Sequence, residues 1–295
     1  MRIGKLIILV LLTLVSLPLS AATDATGEHR YKVAACDWMM LKRQKIGEFK
    51  LAREIGADGV EMDMGGLGKR DTFDNKLHQP HFRKLFRETA DSLGVTVPSV
   101  AMSGFFGQSF IGKPTYATLI DDCLSTMDAM GASVAFLPLG GSGAEWHEKG
   151  SQARAEMVKR LHESGEKALA AGKVIGIRTQ LPAKESKKLL KEINSKGVKI
   201  YFNLQDALDA GLDPVKELKT LGAKNICQIH LSNTDGFNLR EDPAVDLPAI
   251  KRTLDKMGWS GWLVVERSRD KDRVRDVKHN FGRNVTYIKE VFQQP

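Results

Sequence analysis

Cysteine is scarce in this chain. Its three copies, Cys36, Cys123 and Cys227, are too few and too far apart for a disulfide scaffold or a structural zinc site. Cys227 falls within the apolar run Ile226–Leu231, so the three read as free buried thiols in preference to one pair and a leftover. Glycine-rich phosphate turns are missing too: no G-x-G-x-x-G or Walker pattern follows any strand-like run. A doubly wound dinucleotide-binding sheet needs such a turn after its first strand, and here Cys36-Asp37-Trp38-Met39-Met40 stands in that place. The apolar run at the start, Leu6–Leu17, is shorter than the roughly 20 residues of a membrane span. Nor is charge concentrated: 44 Lys+Arg against 36 Asp+Glu give +8, scattered along the chain. A solvated surface accounts for that better than a nucleic-acid or membrane-facing patch.

What is present begins with a leader. Arg2 and Lys5 precede Leu6–Leu17, and Pro18, Ser20, Ala21 and Ala22 follow. A charged start, an apolar core and a small-residue cleavage site make residues 1–22 a secretory signal peptide and imply a periplasmic or secreted protein. No cysteine stands at the cleavage point, so a lipid or other stable membrane anchor is not expected. The remaining residues, 23–295, have the composition of a folded globular domain, with 42% hydrophobic and 27% charged residues over the whole chain.

Eight β-rich runs alternate with amphipathic helical stretches. The runs are Tyr31–Ala35, Gly59–Met62, Pro98–Met102, Val134–Leu139, Val174–Thr179, Lys199–Asn203, Ile226–Leu231 and Trp262–Glu266. Between them, segments such as 154–171 place Met157, Val158, Leu161, Ala168 and Leu169 on one face at helical spacing. Gly56, Gly94, Gly131, Gly172, Gly197, Gly222 and Gly258 stand where these helices should close. Strand, helix, glycine, strand, repeated eight times, predicts an α/β protein of the (β/α)8 TIM-barrel class in a single domain.

A barrel directs attention to the C-terminal ends of its strands. Alternation along each strand then sorts the polar residues there. Glu61 ends the second run, Arg178 and Gln180 the fifth, Asn203 the sixth, His230 the seventh and Glu266 the eighth. If His230 and Glu266 face the barrel axis, Cys227, Ile229 and Val265 face the helices. Each candidate also has a plain structural reading: Glu266 as the ion-pair partner of Arg178 or Arg267, His230 as a hydrogen-bonded core residue, Glu61 as a cross-barrel anchor. Trp38 follows the first strand and suits either a sugar-stacking wall or a rim plug. Phe105, Phe106 and Phe110 lie in a long loop after the third strand, and His147 in another after the fourth.

Gly59-Val-Glu61, Asn203-Leu-Gln-Asp-Ala-Leu-Asp-Ala-Gly-Leu-Asp-Pro214, Ile229-His230-Leu-Ser-Asn-Thr-Asp235 and Gly261-Trp-Leu-Val-Val-Glu266 form an ordered set. Together they resemble the sugar phosphate isomerase/epimerase family, the xylose-isomerase-like TIM barrels. The resemblance implies a small carbohydrate substrate and proton abstraction beside a carbonyl; relatives include isomerases, epimerases, dehydratases, AP endonucleases and deglycosidases of 3-keto-glycosides. Many hold a divalent metal on two Glu, an Asp and a His at the ends of strands five to eight. Of that set, His230 and Glu266 match, which makes them the metal ligands if Mn²⁺ or Mg²⁺ is bound. Asn203 replaces the Asp, and Arg178-Thr179-Gln180 has no carboxylate for the remaining Glu. Metal dependence is therefore expected to be weak or absent. His230 and Glu266 become the expected catalytic pair, with Glu61, Arg178, Gln180, Asn203, Trp38 and His147 around the substrate. Export favours an unphosphorylated sugar or keto-glycoside, undergoing isomerisation, epimerisation or elimination. The alternative is an inactive periplasmic sugar-binding barrel, while an AP endonuclease would need more metal ligands and a cytoplasmic address, so no nucleic-acid partner is expected.

Overall fold

Eight parallel strands close into a barrel in chain order: β1 (Tyr31–Cys36), β2 (Gly59–Asp63), β3 (Thr96–Ala101), β4 (Val134–Pro138), β5 (Val174–Arg178), β6 (Val198–Asn203), β7 (Ile226–Leu231) and β8 (Gly261–Val265). β1 pairs with both β2 and β8, which seals the sheet. Helices α1 (Gly47–Glu54), α2 (Pro80–Leu93), α3 (Tyr116–Met130), α4 (Gln152–Ala170), α5 (Ala183–Ile193), α6 (Leu204–Asp209), α7 (Pro214–Leu221), α8 (Leu247–Met257) and α9 (Val277–Phe292) connect and surround the strands. This computed structural model describes residues 29–294; the signal peptide read at residues 1–22 lies outside them. No helix among the described residues is long and apolar enough to cross a membrane.

The strands are buried on both faces, as parallel strands covered by helices must be. Outward-facing Val33, Val60, Met62, Val100, Ile175 and Ile177 share the main core with helix residues such as Phe281, Val285, Ile288 and Phe292 of α9. Those four recur at helical spacing, which is why α9 lies flat on the barrel. Inward-facing Ala34, Cys36, Ala101, Val134, Phe136, Tyr201 and Val264 form a separate inner cluster. The single-domain (β/α)8 fold expected from the repeats is the fold observed.

Four local details depart from expectation. Between β2 and β3 the register jumps from Gly59↔Thr96 to Glu61↔Ser99. β3 has one extra residue in this interval, which spans Val97 and Pro98. Pro98 has no N–H to give a ladder and sits naturally in such an irregularity. β6 and β7 slip similarly, from Ile200↔Ile226 to Tyr201↔Gln228. Cys227 is the residue left over; it packs against the inner cluster instead of facing the helices, and it is half-buried where Cys36 and Cys123 are fully buried. All three thiols are free.

Helix α5 closes not on Gly197 but on Asn194, whose φ of 51° puts it in the left-handed region. Gly197 serves a different need, because a Cβ there would lie 1.9 Å from the carbonyl oxygen of Gly165 in α4. Finally, α6 has no counterpart in the eight repeats. Asn203 both ends β6 and caps α6 by accepting a hydrogen bond from the backbone N–H of Gln205.

Candidate active site

The barrel interior is polar at mid-height. Glu61, Ser99, Tyr201, Gln228 and His230 all point to the axis, and all are buried. Glu61 Oε2 accepts hydrogen bonds from Ser99 Oγ at 2.7 Å and from the Tyr201 hydroxyl at 2.6 Å. Its Oε1 lies 2.7 Å from His230 Nε2. The Tyr201 hydroxyl is also 2.9 Å from Gln228 Oε1. Burial, reinforced by the charge of Glu61, holds the Tyr201 phenol protonated far above its ordinary range. Gly176 of β5 makes room for this layer, since a Cβ there would meet Cys227 Sγ at 2.5 Å and Tyr201 Cδ2 at 2.9 Å.

One step higher, Asn203 organises the contacts. Its Oδ1 is committed to Gln205 N–H at 3.0 Å and to Ser232 Oγ–H at 3.1 Å. The amide NH2 therefore faces inward, donating to Glu266 Oε2 at 2.8 Å and reaching His230 Nδ1 at 3.5 Å. That orientation assigns the His230 tautomer: Nε2–H donates to Glu61 and Nδ1 presents its lone pair to the Asn203 NH2, with Glu266 Oε2 lying 3.5 Å from Nδ1.

Glu266 is the first residue after β8 and is 5% exposed. Arg178, the last residue of β5, brings Nη1 to 3.3 Å from Glu266 Oε2. The other edge of its guanidinium is clamped by Asp206 of α6, Nη2 to Oδ1 at 2.6 Å and Nε to Oδ2 at 2.9 Å. Burial opposes the Arg178 charge, but the two carboxylates outweigh it and hold the guanidinium more firmly protonated than usual. Phe106 covers one face of the guanidinium, with Cζ 5.3 Å from the ring centroid.

Aromatic rings wall the cluster. Phe136 of β4 stands 4.6 Å from His230 and 4.8 Å from Tyr201 between ring centroids. Trp38 stacks parallel on Phe136 at 6.2 Å and turns toward His230 at 6.3 Å. Phe105 and Phe110 are buried and contact each other, packing down their loop, whereas Phe106 is 38% exposed.

Glu61, Arg178, Asn203, His230, Glu266 and Trp38 thus form one cluster. Two expected members lie apart from it. Strand β5 ends at Arg178, and Gln180 adopts a left-handed φ of 57° that lays its side chain against Gly140. His147 rests on Trp146, at 4.3 Å between ring centroids, with its basicity lowered by burial and by Arg154. Ser99, Tyr201, Gln228, Phe136 and Asp206 join the cluster without having been expected. Strand alternation carried a signal for Tyr201, two residues before Asn203; Asp206 had only the cap-like spacing Asn203-x-x-Asp206.

The donor set does not fit a divalent cation. Such an ion needs hard oxygen or imidazole lone pairs converging on one point. Around Glu266 the protein instead converges hydrogen-bond donors: the Arg178 guanidinium and the Asn203 NH2. The amide oxygen that would ligate is spent on Gln205 and Ser232. No group of three or more His, Cys, Asp or Glu side chains among the described residues is arranged to hold a metal ion.

Comparison with known proteins places this geometry. Residues 49–290 match the family model described as xylose isomerase-like TIM barrel. The chain is 24% identical over 207 residues to the 2-epi-5-epi-valiolone 7-phosphate 2-epimerase of an Actinoplanes species, covering 68% of this chain and 72% of that protein. Among solved structures, D-psicose 3-epimerase superposes with a TM-score of 0.70 at 11% identity, over 89% of this chain and 100% of the other. The 3-keto-D-glucoside 4-epimerase of E. coli superposes with a TM-score of 0.68 at 14% identity, over 88% of this chain and 99% of the other. At these identities the structural likenesses speak to the fold.

Proposed function

This chain belongs to the xylose isomerase-like TIM-barrel family, and from that premise we propose that it is an exported enzyme that removes a proton beside a carbonyl of an unphosphorylated sugar or keto-glycoside. The observation that carries the reading is the chain of contacts Glu61–His230–Glu266–Arg178 at the mouth of the barrel. The 24%-identical relative, a 2-epi-5-epi-valiolone 7-phosphate 2-epimerase, supports the reaction type.

The exposures divide the labour. His230 and Glu61 side chains are 0% exposed, whereas those of Glu266 and Arg178 are 7% and 11% exposed. Glu266 is therefore the group that meets the substrate and takes the proton from carbon. As the C–H bond breaks, its electron pair moves into the carbonyl and leaves an enolate oxygen, which the Arg178 N–H groups stabilise. His230 Nδ1 can accept the proton from Glu266 while Glu61, Ser99 and Tyr201 steady the resulting imidazolium. Delivery of a solvent proton to the other face of the carbon gives epimerisation. Return of the abstracted proton to the neighbouring carbon, with a proton shifting between the two oxygens, gives isomerisation. Expulsion of a β-substituent gives elimination, the outcome suited to a keto-glycoside. Trp38 and Phe106 offer apolar faces to a sugar ring.

Incubation of the mature protein in D2O with free sugars and 3-keto-glycosides, with and without chelator, is the test. Deuterium should enter at the carbon beside the carbonyl of at least one substrate, before or together with product. Binding of several sugars without exchange in any of them would overturn the enzymatic reading in favour of a sugar-binding barrel.

A further inference from the structure

A barrel whose polar mouth lacks a metal-binding donor set still needs a positive group if an enolate is to form there. We infer that the Arg178 guanidinium is the resident cation of this site, taking the ground a divalent ion would need and acting as the electrophile toward the substrate carbonyl oxygen. The electrophile assignment rests on the proton-abstraction reading above; the exclusion of a divalent ion does not.

Three observations point to Arg178. It leaves the end of β5 and points toward Glu266, with Nη1 3.3 Å from the carboxylate, so any ion ligated by Glu266 would face a fixed positive charge. It is built in place: Asp206 holds Nε and Nη2 in a two-point clamp, and Phe106 covers the plane of the guanidinium. A mobile surface arginine has neither restraint. And its valence is not exhausted. Of five N–H donors, two serve Asp206 and, counting the forked contact as one, a third serves Glu266. Two remain for an oxygen of a ligand, which suits a developing oxyanion better than a neutral hydroxyl.

Asp206 acts through Arg178 and is a positioning residue. Its backbone is set by α6, whose start is fixed by the Asn203 cap. Asn203 thus aims two groups at once: its own NH2 at Glu266, and through α6 the carboxylate that orients Arg178.

The test has two arms. In the first, full-length mature protein is stripped with chelator and titrated with Co²⁺, read by visible absorption. Wild type should develop no saturable ligand-field band at millimolar Co²⁺. The double variant Arg178→Glu with Asn203→Asp restores two carboxylates beside His230 and Glu266 and should develop one. A saturable band in wild type that disappears in Glu266→Gln would overturn the inference. Circular dichroism and thermal melting establish that each variant is folded; if the double variant is not, the wild-type titration alone decides. This arm needs no substrate, so failure of the carbohydrate reading leaves it intact.

The second arm measures deuterium exchange in chelator. Arg178→Gln should lose about 10²-fold or more in exchange rate, Arg178→Lys should recover part of that loss, and Asp206→Asn should fall between wild type and Arg178→Gln with kcat affected more than KM. Full exchange in Arg178→Gln, with Glu266→Gln inactive, would remove Arg178 from the chemistry while sparing the proton-abstraction reading.

Discussion

His230 Nε2 and Glu61 Oε1 lie 2.7 Å apart with neither side chain exposed to solvent. A buried carboxylate facing one imidazole nitrogen fixes which nitrogen carries the proton and leaves the other free as a base. Glu61 is itself held by Ser99 and Tyr201, so the orientation of His230 is set two contacts back from the mouth.

Glu61→Gln keeps the shape and removes the charge that steadies a His230 imidazolium. On an identified substrate, kcat should fall by about 10²-fold or more while KM changes little. Nitrogen-15 spectra of the wild type should show His230 protonated on Nε2 and bare on Nδ1, and that pattern should change in the variant. An unaltered tautomer together with unaltered kcat would remove the relay from the mechanism.

Glu266→Gln tests the group nearest the substrate. The amide still accepts from Asn203 or Arg178, so folding should be nearly unaffected, but it cannot take a proton. Catalytic turnover and deuterium incorporation should fall in parallel by about 10²-fold or more. If exchange persists at the wild-type rate, the base lies elsewhere on the rim.

The barrel was readable because parallel strands, C-terminal glycines and helical stripes repeat with a fixed grammar, and most strand limits lie within one or two residues of the expected ones. Strand-end position also picks out Glu61, Arg178, Asn203, His230 and Glu266 as candidates for the rim, and alternation pairs His230 with Glu266 on the inner face if either points inward. The remainder depended on events that alternation does not encode. A bulge turned Cys227 inward. A left-handed residue after β5 carried Gln180 away. The immediate start of α6 swung Asp206 back over Arg178. The expectation of an acid–base pair meeting the substrate side by side gave way, in the proposed mechanism, to a stack in which Glu266 shields His230.

Gly176→Ala probes how tightly that stack is packed. The added methyl would sit 2.5 Å from Cys227 Sγ and 2.9 Å from Tyr201 Cδ2, inside contact distance of both. Tyr201 cannot retreat without breaking its hydrogen bond to Glu61. A destabilisation of about 1–3 kcal/mol is expected, measured by urea unfolding, and Cys227→Ala in the same chain should recover part of it. An equally stable Gly176→Ala would mean that the inner layer has slack.

A second buried carboxyl group of residues, away from the catalytic contacts, makes stability depend on pH. Asp37, Glu48 and Asp63 are each 0% exposed at the top of β1, in α1 and at the end of β2. The three carboxyls repel one another's charge, Asp63 acting on Asp37 and Asp37 on Glu48. Neither Glu48 oxygen has a hydrogen-bond partner, while Asp37 Oδ2 accepts from Gln44 N–H at 2.9 Å. Burial, with the neighbouring carboxylates, raises Asp37 to about 7 and Glu48 well above its ordinary value. Burial also lifts Asp63 to about 6, although Arg43 pulls the other way. In the unfolded chain these groups ionise near 4. Across about pH 4 to 7 these three groups hold protons in the native state that the unfolded state has lost, so their contribution to stability falls as pH rises through that window. The fall is partly offset by His147, whose lowered basicity works in the opposite direction. Asp235, drawn down to about 2 by Arg269 and Arg267 against the effect of burial, titrates outside it. Glu48→Gln removes one buried titrating acid and its charge beside Asp37. Its melting temperature should match the wild type near about pH 5 and exceed it near about pH 8, flattening the profile. Parallel profiles for the two proteins would show that Glu48 does not govern the pH dependence of stability.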